Sequence, residues 1–90
     1  MTITRTKPSE RFIKSRAKLG EPLASRTNKA LKKFHRNPDS PGLNFEAVKN
    51  APGSFTIRVT RNFRILLVQK EDEKGPYYLI AGVANHDDTY

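Results

Sequence analysis

Phe55-Thr56-Ile57-Arg58-Val59-Thr60, the pair Arg61-Asn62, and Phe63-Arg64-Ile65-Leu66-Leu67-Val68-Gln69 form the stretch that decides the architecture. Phe55, Ile57 and Val59 alternate with Thr56, Arg58 and Thr60, the period of two that marks a strand with one buried face. Phe63 to Gln69, and further on Tyr77 to Ala84, are apolar on both faces, as central strands are. A two-residue turn at Arg61-Asn62 would put Val59 and Arg64 on one face and mix core with charge. A three-residue loop, Arg61-Asn62-Phe63, pairs residue 60 with 64 and 58 with 66. It gathers Ile57, Val59, Ile65 and Leu67 on one side and Thr56, Arg58 and Arg64 on the other. Two neighbouring guanidinium groups repel, so that second side calls for an anion, either a structural carboxylate or a bound phosphate.

Outward from this hairpin, Glu71-Asp72-Glu73-Lys74-Gly75-Pro76 reads as the turn between the second and third strands. Upstream, residues 37–53 carry Pro38, Ser40-Pro41-Gly42 and Pro52-Gly53 and read as a connection, with a helical turn expected at Asn44 to Lys49. Before it the period is helical. Leu23, Thr27, Ala30, Leu31 and Phe34 form one stripe, ended by Asn37-Pro38. Ser9 as cap and Gly20 as stop bound an earlier helix near Ser9 to Leu19. So short a connection predicts an antiparallel helical hairpin, preceded by an extended start from Met1 to Lys7. The fold class is therefore α+β: a short N-terminal strand and a helical hairpin packed on an antiparallel β-sheet.

Ninety residues, 36% hydrophobic and 29% charged, suffice for one domain over 1–90 with a modest core, and exclude a multidomain enzyme. With no cysteine, a disulfide scaffold, a thiolate metal site and a cysteine nucleophile are excluded together. No apolar run suits a membrane span and the start carries no secretory pattern, so the expected location is the cytoplasm. The charge is uneven: residues 1–36 hold 11 Lys and Arg against Glu10 and Glu21, whereas residues 37–90 hold 6 against 7 acids. On the second helix Arg26, Lys29, Lys33 and Arg36 recur at helical spacing and make a basic stripe beside the core stripe. Together with Arg61 in the hairpin loop they are the candidates for binding a polyanion or an acidic protein; a merely solvated face is the alternative.

Chemistry-bearing side chains gather at the end, Asn85-His86-Asp87-Asp88-Thr89-Tyr90. An imidazole and a phenol beside Arg58 and Arg64 make a metal-free ribonuclease set. One group activates a ribose 2′-hydroxyl, another protonates the leaving oxygen, and the arginines stabilise the phosphorane. The alternative is an ordinary polar strand exit. His86 beside two aspartates is too little for a metal, and no nucleotide-cofactor motif is present, so neither metal nor cofactor is expected. Tyr77 and Tyr78 suit base stacking or core packing.

The order of pieces, with Phe55-Thr56-Ile57-Arg58, Phe63-Arg64-Ile65 and the terminal His-Asp-Asp-x-Tyr, resembles the RelE/ParE toxin superfamily over essentially the whole chain. The resemblance implies the toxin of a toxin–antitoxin module, a RelE-like endoribonuclease that cuts mRNA on the ribosome without metal. Arg64 then matches the strand arginine that holds the scissile phosphate and Arg58 a basic residue on the preceding strand. His86 or Tyr90 falls at the acid/base position, while Thr56 and Asn85 stand where cations are common. The implied partners are a cognate antitoxin, the ribosome and mRNA. A ParE-like toxin that binds DNA gyrase, or a non-toxic relative serving as a protein-binding module, is the alternative.

Overall fold

The computed structural model describes residues 5–85. Its elements run β1 (Thr6–Pro8), α1 (Glu10–Ala17), α2 (Leu23–Arg36), β2 (Glu46–Ala47), β3 (Ser54–Arg58), β4 (Phe63–Asp72) and β5 (Gly75–Asn85). The strands form one sheet in the order β1-β5-β4-β3-β2. All neighbours are antiparallel except β1, which lies parallel to β5 with Thr6 beside Tyr78. Two helices on a mostly antiparallel sheet is the expected α+β architecture.

Both helices follow from the sequence signals. Ser9 caps α1, its Oγ accepting from Phe12 N at 3.0 Å. The same hydroxyl donates to Ile80 O at 2.7 Å and so ties the helix start to β5. This contact lies beside a bulge, where Leu67 pairs with Ile80 but Leu66 with Gly82. The helix stops at Ala17, and Gly20 takes φ +68°, a left-handed turn that glycine adopts without a steric cost. On α2 the predicted stripe is the buried one: Thr27, Ala30, Leu31 and Phe34.

The core lies between the helices and one face of the sheet. Phe12, Phe34, Leu43, Ile57, Ile65 and Leu67 are almost fully excluded from solvent. Phe45 and Phe55, partly buried, pack against the core rings Phe34 and Tyr78 largely edge to face, with ring centroids 5.3 Å apart for Phe34–Phe45 and 5.6 Å for Phe34–Tyr78. Of the tyrosine pair, Tyr78 is therefore core, and burial pushes its phenol pKa up. Tyr77 instead lies beneath Arg5 and Lys7.

Two expectations are corrected. Residues 44–49 form no helical turn; Glu46 and Ala47 pair with Thr56 and Phe55, and Val48 N donates to Ser54 O at 2.9 Å. Phe45 is drawn against the Phe34, Phe55 and Tyr78 rings, and this packing holds the segment extended. The β3–β4 register also differs: Arg58 pairs with Arg64 and Ile57 with Ile65, not 58 with 66. Val59 N donates to Phe63 O at 3.0 Å, so the loop is Thr60-Arg61-Asn62. Thr60 is pulled into it because its Oγ1 accepts from both Asn62 N and Phe63 N, at 3.3 Å each. A partner shift of two residues preserves every face, which is why the division into an apolar and an arginine-bearing side holds despite the wrong register.

Candidate functional site

At the end of β3 the chain segment Gly42–Leu43 runs past the strand, and Arg58 N donates to Leu43 O at 2.6 Å. Between this crossing and α2 opens a cleft of about 260 Å³, lined by Arg26, Lys29, Ala30, Lys33, Gly42, Leu43, Arg58 and Val59. Helical spacing sets Arg26, Lys29 and Lys33 on successive turns of one face. Strand alternation sends Ile57 into the core and keeps the next residue, Arg58, half-buried and outside it. The polar lining is wholly cationic. Among the described residues none of these four side chains forms an ion pair; the carboxylates that are paired, Asp72 and Glu10, hold Arg5, Lys7 and Lys14. Four like charges around one hollow raise the local potential and favour an anion there.

Arg58 belongs to a second grouping. Its Cα partner across the hairpin is Arg64, whose Nη1 donates to Thr60 O at 2.9 Å and reaches Phe63 O at 3.3 Å and Arg61 O at 3.4 Å. These bonds fix the guanidinium against the loop and leave from one nitrogen. A guanidinium has five N–H donors, and among the described residues those of Nε and Nη2 meet no acceptor, which suits them to a group such as a phosphate. Phe63 pairs with Asn85, and Arg64 with Ala84, so β5 ends at the same end of the sheet as the two arginines.

The structure thus merges what the sequence kept apart: Arg58, a catalytic candidate, lines the same cleft as the binding candidates Arg26, Lys29 and Lys33. Arg36 is exposed at the last turn of α2 and outside the lining; Arg61 is exposed in the loop. Thr56 shares the side of Arg58 but is only 1% exposed, so it presents nothing to a ligand. His86, Asp87, Asp88, Thr89 and Tyr90 lie outside the described residues. The sequence reading missed Gly42, Leu43 and Val59 as walls of the cleft and Thr60 as the residue that shapes the loop holding Arg64. A signal for Gly42 was present in Ser40-Pro41-Gly42, a turn that reverses the connection towards the sheet.

The opposite end of the sheet is built differently. Asp72, at the β4–β5 turn, accepts from Arg5 Nη2 and from Lys7 Nζ at 2.6 Å each, and from Lys74 N at 2.9 Å. Hydrogen bonds from Arg5 and then Lys7 hold its carboxyl well below the usual carboxylate range. Arg5 also donates to Gly75 O at 2.7 Å, so β1 is pinned to the turn. On α2, His35 meets Thr6 Oγ1 at 2.6 Å. Among the described residues no group of three His, Cys, Asp or Glu is placed to hold a metal ion, and no helix is long and apolar enough to cross a membrane.

No family model and no curated protein matches the sequence. Solved structures do match in shape. A YoeB/ParE toxin from Agrobacterium tumefaciens superposes with a TM-score of 0.69 at 12% identity, over 91% of this chain and 98% of that one. A chain of the toxin–antitoxin complex RelBE2 from Mycobacterium tuberculosis gives 0.68 at 14% identity, over 94% and 100%. A copper-bound mutant toxin from Helicobacter pylori gives 0.66 at 14% identity, over 96% and 98%. The fold is that of the RelE/ParE toxins.

Proposed function

We infer that this chain is the toxin of a toxin–antitoxin pair and acts as a metal-independent endoribonuclease on ribosome-bound mRNA. The observation that carries the reading is the pairing of Arg58 with Arg64 at the end of the sheet where β5 terminates, next to a cleft whose charged side chains, among the described residues, are all positive. Such a place is suited to a phosphodiester and supplies from side chains the positive charge that a metal ion would otherwise provide. In the reaction one of His86 and Tyr90 takes the proton of the ribose 2′-hydroxyl, and O2′ attacks phosphorus. The bond to the 5′-oxygen breaks, the other group returns a proton to that oxygen, and a 2′,3′-cyclic phosphate remains. Arg58 and Arg64 hold the non-bridging oxygens while their charge grows. The fold likeness to a chain from a toxin–antitoxin complex supports an antitoxin as partner. The net charge of +8 would speed that encounter by long-range attraction.

The test is Arg58→Ala, chosen because this side chain, unlike Arg64, holds no loop. After induction in cells, mRNA cut sites in translating ribosomes are mapped by primer extension. Wild-type protein is expected to cut, including in cell-free translation where the reaction is quenched into chelator, and Arg58→Ala to cut about 10²-fold more slowly with its thermal midpoint unchanged. Undiminished cutting by the variant overturns the site; chromosomal DNA breaks with intact mRNA would transfer the protein to the gyrase-binding reading.

A further inference from the structure

Where the chain crosses the end of β3 it takes an irregular step. The β2–β3 ladder sets Glu46 opposite Thr56 and Ala47 opposite Phe55, so an unbroken ladder would bring Asn44 opposite Arg58. Arg58 N instead donates to Leu43 O at 2.6 Å, one residue out of step. Asn44 is the residue left over, and its φ of +49° lies in the left-handed region. A single extra residue opposite a strand is a β-bulge, a device that bends the bulged segment and is common beside functional sites, where it redirects a side chain. We propose that Asn44 is a positioning residue for the nuclease site: its left-handed turn brings Leu43 O onto the Arg58 N–H and so sets the Arg58 guanidinium on the wall of the α2 cleft. The inference takes its use from the nuclease reading, whereas the hydrogen bond it explains stands apart from any cleavage.

Three features single out Asn44. The residues on either side of it are anchored: Leu43 is only 2% exposed, and Phe45 packs against Phe34, Phe55 and Tyr78. The change of direction between these anchors falls on Asn44. Its side chain is exposed, so it fills no space in the core and acts through its backbone. Asparagine is also one of the few residues other than glycine that tolerate a left-handed φ, which a β-branched side chain resists. Arg58 is then held from both sides, by Leu43 O on one and by its pairing with Arg64 on the other. That double hold fixes the direction of its Cα–Cβ bond, and with it the place from which the guanidinium enters the cleft. Placement matters to this degree because a shift of about 1 Å in a group that stabilises a transition state can cost about 10²-fold in rate.

The experiment compares Asn44→Gly and Asn44→Val in the full chain by two measurements. Amide hydrogen exchange read by NMR follows the Arg58 N–H itself. It should be protected in wild type and in Asn44→Gly, and exchange at least ~10-fold faster in Asn44→Val, while the Ile65 and Leu67 amides of β4 keep their protection. Should valine lower the β4 protection as well, Asn44→Ala, a milder clash at the same φ, is read in its place. The second measurement is mRNA cutting in cell-free translation. Asn44→Val should lose about 10-fold in kcat with KM nearly unchanged, and Asn44→Gly should restore the wild-type rate. In an Arg58→Ala background Asn44→Val should add less than about two-fold, because a residue that acts through Arg58 has nothing left to place. Wild-type protection of the Arg58 amide in Asn44→Val overturns the inference. So does a full additional loss on top of Arg58→Ala, which would make the turn a matter of folding alone, and so do equal losses in the glycine and valine variants. Absence of cutting by wild-type protein sinks the nuclease reading, and the Arg58 amide then decides the placement by itself: protection kept with glycine and lost with valine upholds it, and protection alike in both sinks it.

Discussion

The two ends of the sheet handle positive charge in opposite ways. At the β4–β5 turn, Arg5 and Lys7 meet on Asp72 and lie over the Tyr77 ring, so each cation has a partner within the fold. At the end of β3, Arg26, Lys29, Lys33 and Arg58 surround a cleft, and none of them has a carboxylate among the described residues. Neutralised cations hold strands together. Cations held close to one another by a helix and a paired strand raise the local potential and attract an anion. The contrast separates a cluster that holds the fold together from one that we propose meets a ligand.

The sharpest way to break the contrast is to copy one end onto the other. Lys29→Glu places a carboxylate between Arg26 and Lys33 at helical neighbour spacing, as Asp72 sits between Arg5 and Lys7. RNA cleavage should fall at least ~10-fold, since one phosphate contact is lost and a repulsive charge is added. The thermal midpoint should rise slightly, because like-charge repulsion on α2 is relieved. Loss of activity accompanied by unfolding would count against the division.

A smaller effect is expected at the loop. Thr60→Val removes the hydroxyl that accepts from Asn62 N and Phe63 N, and with it the carbonyl arrangement that orients Arg64. If Arg64 acts in the transition state as proposed, cleavage should drop about 10-fold in kcat with substrate KM nearly unchanged. Thr60→Ser should restore it, since the hydroxyl alone makes those bonds. Equal losses in Thr60→Ser and Thr60→Val would sever Thr60 from Arg64.

The smallest effect is at the paired end and concerns stability alone. The folded Asp72 carboxyl lies below its ordinary value of 3.8, held there first by Arg5 and then by Lys7. A depressed carboxylate stabilises the fold fully above the unfolded pKa and loses that contribution as pH falls through and below it. The urea midpoint should therefore be flat from pH 7 to about 5 and decline below about pH 4. Asp72→Asn should start lower at pH 7 and decline less, with mRNA cutting unaltered. Identical acid profiles for the two proteins would show that the clamp contributes nothing to folding.

Much of the fold was legible because it depends on local signals. The Leu23 to Phe34 stripe, the Ser9 cap, Gly20 and the alternation from Phe55 to Val59 each act through neighbours a few residues away. Residues 44–49 misled because their conformation is set by Phe45 meeting Phe34 and Tyr78, residues remote in the chain. The hairpin register misled because one hydroxyl, on Thr60, moves the loop by a residue. The candidate site was legible residue by residue: Arg58, Arg64 and the α2 stripe are plain in the sequence. That Arg58 belongs with the stripe was not, since nothing local relates position 58 to position 29.

By itself, then, the amino-acid order determined the two helices, which face of each would be apolar, the alternation of β3, and that positive charge would be concentrated in the first two fifths of the chain. Those properties follow from periodicity and composition, which are one-dimensional. Only the tertiary structure decided that β1 would lie parallel to β5, that Asp72 would absorb Arg5 and Lys7, and that α2 and the end of β3 would enclose a cleft lined by four cations. Each of these joins groups tens of residues apart, and it is the shared core around Phe34, Ile57, Ile65 and Tyr78 that brings them within reach of one another.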